Sequence, residues 1–158
     1  MQARLDPRKV APDAMKVMSN LHAYVGHCGL DHKLIKLRAS QINGCAWCLD
    51  MHTKDARAAG ETEQRLYLLS TWREAPFYSE RERAALAWTE AVTRVSDGPI
   101  EDDLYAEVRH YFSEKELADL TLAVVAINGW NRLAISFRRT VGSYRPPRSK
   151  AGSAAAAS

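Results

Sequence analysis

No apolar run in the chain approaches the roughly 18 residues that a membrane-spanning helix needs, so no membrane segment is expected. The opening residues, MQARLDPRKVAPDAM, carry early charge but no apolar core behind it. That pattern lacks the anatomy of a secretion signal, and a cytoplasmic protein is the expectation. Net charge is only +3, and apart from RPPRSK near the end the basic residues are spread along the chain. This is a poor footprint for nucleic acid, and none is expected as a partner. No stretch sustains a two-residue alternation of apolar and polar side chains, which argues against strands. Cysteine is scarce, with three residues, and there are five histidines.

What is present is ordinary for a globular protein: 46% hydrophobic and 26% charged residues in a chain of 158. That length buries a substantial core and reads most simply as one domain over residues 1–145. Residues 146–158, which include SKAGSAAAAS, offer nothing to pack and read as a disordered tail.

Apolar residues recur at helical spacing along the whole domain. Met15, Met18, Leu21, His22 and Val25 line one face of a first helix, with Gly26 and Gly29 as stops. Leu30, Leu34, Leu37 and Gln41 mark a second. Asn43-Gly44 then breaks the chain, and a third helix is expected from Cys45 to Ala59, closed by Gly60. A short helix over ETEQRLYLLSTW leads into a connector carrying Pro76. Ser79 with Glu82 has the spacing of a capping box, as does Ser113 with Glu116, and each opens a long helix. Between them, SDGPI forms a turn before EDDLYAEVRHYF. The last helix is apolar on more than one face around LTLAVVAINGW, which points to contact with another subunit. The fold class expected is all-α.

The reactive residues are concentrated in QINGCAWCLDMHT, residues 41–53. At about 100° per residue, Cys45, Cys48 and His52 share one helix face. His52 stands one turn beyond Cys48, where helical side chains meet. Cys45 lies at the helix N-terminus, where unpaired N–H groups favour negative charge. Three readings compete: a redox dithiol, a metal site, and burial of small polar residues. The metal reading lacks a fourth ligand, and three ligands spread over two turns of one helix converge poorly on a tetrahedral ion. The redox reading fits best. No metal or cofactor is expected.

In that reading His52 takes a proton from Cys48 or holds its thiolate as an ion pair. Cys48 attacks a peroxide O–O bond to give a sulfenic acid, which Cys45 resolves to a disulfide. No strand–helix–strand pattern surrounds the cysteines, so a thioredoxin fold is excluded. The third cysteine, Cys28, reads as a small buried hydrophobe. His22, His27, His32 and His110 read as surface or hydrogen-bonded residues, and Trp130 as core or subunit interface, with the lining of a substrate pocket as the alternative. Gln41 and Asn43 read as fixing the turn before Cys45, with a contact to the active site as the alternative.

The block LRASQINGCAWCLDMHTKDARAAGE resembles the core of the alkylhydroperoxidase D-like branch of the carboxymuconolactone decarboxylase family. WREAPFYSERERAALAWTEAV and INGWNRLAISFR extend the likeness over roughly residues 15–140. The resemblance implies an all-α, alkylhydroperoxidase D-like helical bundle that assembles as trimers or hexamers. It also implies a peroxidase that reduces organic hydroperoxides with electrons from a dithiol reductant protein. By position Cys48 is then the peroxidatic cysteine, Cys45 the resolving one and His52 the proton-relay histidine.

The family's relay begins with a glutamate twelve residues before the first cysteine, and Lys33 stands there. An ammonium donates protons but does not accept them. Asp55, one turn after His52, is a candidate to orient the imidazole in the glutamate's place. Trp47 stands where the best-known members have a histidine. Two other readings follow from these departures: a slow or non-catalytic redox-responsive oligomer, and a decarboxylase-like enzyme using the same helical cavity.

Overall fold

The computed structural model describes residues 2–147, and among these there are eight α-helices and no strand. The tail expected from residue 146 onward lies outside the described residues from 148. A short α1 (Pro7–Val10) precedes α2 (Pro12–His27), α3 (Lys33–Asn43) and α4 (Ala46–Ala58). Then come α5 (Glu63–Tyr67), a 3₁₀ turn (Leu68–Thr71), α6 (Glu80–Thr93), α7 (Asp102–Tyr111) and α8 (Glu114–Ser136). The sequence reading had no α1, although its signals are local: Asp6 accepts from the Arg8 N–H, and Pro7 occupies the first turn. Both expected capping boxes form, Ser79 with Glu82 opening α6 and Ser113 with Glu116 opening α8.

Helix α3 is the hub, packing against α4, α6 and α8. Its two sides feed two apolar clusters. Leu34 and Leu37 meet Ala56, Leu69, Trp72 and Leu86 on one side. Ile35 meets Trp88, Val108, Phe112, Leu120 and Val124 on the other. Each fully buried aliphatic side chain here contributes roughly 1.5–3 kcal/mol by leaving water. A third, smaller cluster of Ala39, Cys45, Trp47, Cys48 and Ile127 sits where α3 and α4 meet α8. The dithiol is therefore part of the packed interior.

Two polar features hold the hub in register. Glu90 on α6 is buried and accepts from Arg38 Nε at 2.7 Å, Trp72 Nε1 at 2.8 Å and Arg73 Nη1 at 2.6 Å. At the end of α3, Asn43 Nδ2 donates to Asn128 Oδ1 (2.8 Å) and Asn131 Oδ1 (2.9 Å) on α8. Helix α2 crosses α8 closely enough that a methyl group on Gly129 would lie 2.9 Å from Met18 Cε. Leu122 and Val125 on α8 remain exposed, at 38% and 49%, which leaves an apolar strip uncovered. Among the described residues no helix is long and apolar enough to cross a membrane.

Candidate active site

The turn between α3 and α4 builds the site. Gly44 takes the left-handed conformation (φ 67°) that favours glycine, and the next N–H, that of Cys45, returns to the Ser40 carbonyl at 3.0 Å. Cys45 thereby becomes the N-cap of α4, and Cys48 follows one turn later on the same face. Both are free thiols, 0% and 1% exposed, with their sulfurs 2.8 Å apart. A small movement closes that gap to the roughly 2.05 Å of a disulfide.

The two sulfurs share charge unequally. Cys45 is lowered to about 7 because the Cys48 thiol hydrogen-bonds it. Burial works against this, and the Trp47 and Cys48 N–H groups and the Asn131 amide add to it. Cys48 is pushed strongly up, first by its bond to Cys45 and then by burial and thiolate repulsion. The pair therefore loses its first proton near neutrality and resists losing a second, a property of the dithiol rather than of either residue. Charge rests best on Cys45, at the helix N-terminus. Access belongs to Cys48, which lines a cavity of about 830 Å³ with His22, His52, Trp130, Phe137 and Arg139.

His52 is 7% exposed, and its pKa falls to about 3 through burial, with Lys36 and then His22 adding to the shift. A ring held that low is neutral at pH 7 and so does not form an ion pair with a thiolate. Asp55 Oδ2 lies 3.7 Å from His52 Nδ1, beyond hydrogen-bond length, while Asp55 Oδ1 accepts from the Tyr144 hydroxyl at 2.6 Å. Among the described residues no hydrogen bond joins His52 to Cys48, although both face the cavity. Lys33 does not face it: its ammonium pairs with Asp31 at 2.9 Å beside the start of α3. Lys36, one turn on, is the charged group acting on His52, and burial lowers its own pKa. Trp47 carries the Arg139 guanidinium 4.0 Å from its ring centre and meets Tyr144 edge-on. Among the described residues no group of three or more His, Cys, Asp and Glu is arranged to hold a metal ion.

The carboxymuconolactone decarboxylase family pattern matches residues 12–91, about half the chain. The chain belongs to the carboxymuconolactone decarboxylase family. It is 42% identical over 146 residues to the uncharacterized protein YdfG of Bacillus subtilis (strain 168), covering 90% of this chain and 99% of that one. A crystal structure from Agrobacterium tumefaciens superposes with a TM-score of 0.86 at 44% identity, over 90% of this chain and 100% of that one. That protein is of unknown function and provisionally assigned as the antioxidant defence protein AhpD. The fold alone is shared with the debrominase Bmp8, seen in complex with 2,3,4-tribromopyrrole, at a TM-score of 0.75 and 18% identity over 85% of this chain and 74% of that one.

Within this family the chain has an AhpD-like helical fold, and the structure refines the sequence reading at three residues. Cys28 is half-buried rather than a core residue: its thiol donates to the Val25 carbonyl (3.1 Å) and lies 3.3 Å from His32 Nε2. A polar partner there keeps the sulfur at the rim of the packing. Trp130 lines the cavity as well as packing against the dithiol cluster, and its buried indole N–H has no partner among the described residues. Asn43, expected chiefly to fix the turn with contact to the site as the alternative, reaches the site through Asn131, which also donates to Ser40 Oγ at 3.1 Å. Asn131 was missed, although its signal was legible as an amide in the apolar run of the last helix. His22 and Arg139 had no such signal; only the approach of α2 and the end of α8 brings them to the cavity.

Two predictions arise here. Lys33→Met is expected to leave the rate of thiol oxidation by a hydroperoxide within about two- to threefold of wild type, the ±0.5 kcal/mol of a surface substitution. A larger fall in a stopped-flow trace would place Lys33 in the chemistry. The second concerns acid. Unfolded His52 takes up a proton near its ordinary 6.5, whereas folded His52 does so only near 3. Between those values the unfolded state binds more protons, so stability is lost as pH falls, by up to about 1.4 kcal/mol per pH unit from this residue. His32, lowered to about 4 chiefly by burial, acts in the same direction. Urea unfolding at pH 7 and pH 5 should show a loss for wild type that is smaller in His52→Gln; equal losses would sink the assignment.

Proposed function

We propose that this protein is a thiol-dependent peroxidase that reduces organic hydroperoxides, carried by one observation: paired sulfurs 2.8 Å apart, one of which lines a large cavity. In the resting dithiol the negative charge lies on Cys45 and the proton on Cys48. Passing that proton to Cys45 generates a Cys48 thiolate facing the cavity, a step for which no carboxylate at position 33 is required. The thiolate attacks the terminal oxygen of the hydroperoxide. The O–O bond breaks, Cys48 becomes a sulfenic acid, and the leaving alkoxide takes the Cys45 thiol proton to depart as the alcohol. That leaves Cys45 a thiolate, and the hydroxide expelled in the next step is protonated by solvent. Cys45 then attacks the sulfenic sulfur, releasing water and forming the disulfide. A dithiol protein reduces that disulfide and becomes oxidised in turn, which requires a reducing compartment such as the cytoplasm. His52, neutral at pH 7, accepts and returns protons within the cavity. The uncovered strip of Leu122 and Val125 supports assembly as a homo-oligomer, trimer or hexamer.

A second reading, a slow redox-responsive oligomer, is favoured by the near-complete burial of both sulfurs and by Lys33 facing away from them. Cumene hydroperoxide supplied with a dithiol reductant separates the two. The peroxidase consumes many equivalents per subunit, with an apparent pKa near 7 in the rate of thiol oxidation. A single stoichiometric oxidation to the disulfide without further consumption would overturn the peroxidase reading in favour of the sensor.

A further inference from the structure

The cavity is far larger than a small alkyl hydroperoxide requires, lying toward the upper end of the roughly 300–1,000 Å³ of ligand pockets. Its wall also has a charge bias. Three guanidinium groups, those of Arg4, Arg8 and Arg139, line it against one carboxylate, that of Asp6, while Met15, Leu133 and Phe137 supply apolar surface. Arg4 is occupied, donating to the Ser136 carbonyl at 3.0 Å. Arg139 makes no side-chain hydrogen bond or ion pair among the described residues; its guanidinium carbon lies 4.0 Å from the ring centre of Trp47, next in sequence to Cys48.

The backbone holds Arg139 there at a cost. Helix α8 ends with the Arg138 N–H on the Ile135 carbonyl (3.2 Å) and the Arg139 N–H on the Ala134 carbonyl (3.0 Å). This is a Schellman motif, in which the residue before Arg139 must be left-handed. Glycine is usual at that position; here it is Arg138, at φ 52°. The motif turns the chain back so that Arg139 faces the cavity.

We propose that the cavity takes amphipathic organic hydroperoxides bearing a carboxylate, with Arg139 as the carboxylate anchor and the apolar wall holding the hydrocarbon body. The substrate class rests on the peroxidase reading above; the anion site does not. A guanidinium held over an indole and lacking other polar partners has N–H groups available for bidentate pairing with a carboxylate. Arg139 is exposed at the cavity mouth, so its guanidinium is open to a ligand entering from solvent. The same cation also favours a Cys48 thiolate, and both residues line the one cavity.

The test has a binding arm and a turnover arm. In calorimetric titrations of the full chain, octanoate should bind about tenfold or more tightly than octanol, as expected for one charge-assisted pair. That preference should fall toward one in Arg139→Gln and be partly retained in Arg139→Lys, with helical circular dichroism showing that both variants fold. In turnover, linoleic acid hydroperoxide should exceed its methyl ester in kcat/KM by a similar factor, and Arg139→Gln should remove the difference mainly through KM. Equal affinities for octanoate and octanol, or a preference that survives Arg139→Gln, overturns the anchor. Octanoate selectivity without turnover of any hydroperoxide leaves the anion site standing and removes the peroxidase. Turnover of cumene hydroperoxide with no preference for acid over ester does the reverse.

Discussion

Replacing Cys48 with serine is expected to lower hydroperoxide consumption by about a thousandfold or more, the scale on which loss of a catalytic nucleophile is measured. A hydroxyl at neutral pH is neither ionised nor able to carry oxygen through a sulfenic acid, so the first bond never forms. Cys45→Ser should behave differently. Cys48 still lines the cavity, so one oxidation occurs, but no second thiol resolves it and dimedone should label the trapped sulfenic acid. That oxidation should also be slower at pH 7, because the serine hydroxyl cannot act as the base that the Cys45 thiolate provides. The opposite pattern, with Cys48→Ser oxidised and Cys45→Ser inert, would make Cys45 the nucleophile. The site contains the grounds for that alternative, since the thiolate charge rests best on Cys45. Access favours Cys48, which lines the cavity, whereas Cys45 is fully buried.

Glu90→Ala is expected to destabilise the fold by about 3–5 kcal/mol, the cost of removing one partner from a buried ion pair. The carboxylate is 7% exposed and satisfies three donors, of which Arg38 matters most. Arg38 is itself 11% exposed, so its cation would be left inside the protein without a counter-charge. Arg73, at 59% exposed, recovers water and contributes little. The Trp72 indole N–H would also lose its acceptor. Urea unfolding measures the effect, and Glu90→Gln should cost less because its side-chain oxygen can still accept one of the three bonds. A loss below about 1 kcal/mol for Glu90→Ala would mean that water or a side-chain shift compensates Arg38. Because Arg38 lies on α3, two turns from Cys45, a severe loss should also loosen the turn that sets the dithiol.

Local chemistry was sufficient for much of this molecule. The three- and four-residue spacing of Leu34 and Leu37, the Asn43-Gly44 break and the two serine–glutamate boxes each act within one or two turns of helix, and each formed where the sequence indicates. Cys45, Cys48 and His52 belong to the same short range: one helix carries all three, so its geometry alone puts them on one side. What the sequence did not determine is everything that depends on a second element. Whether Lys33 faces the site depends on Asp31 and on how α3 sits against α4. Whether His52 is charged depends on burial and on Lys36 from the neighbouring helix. The cavity exists only because the segment of residues 3–8, α2, α4 and the turned-back end of α8 close around it, bringing together residues more than a hundred positions apart. Helical periodicity is written in neighbouring side chains, whereas charge state, access and the company a sulfur keeps are set by desolvation and distance, which arise only when helices pack.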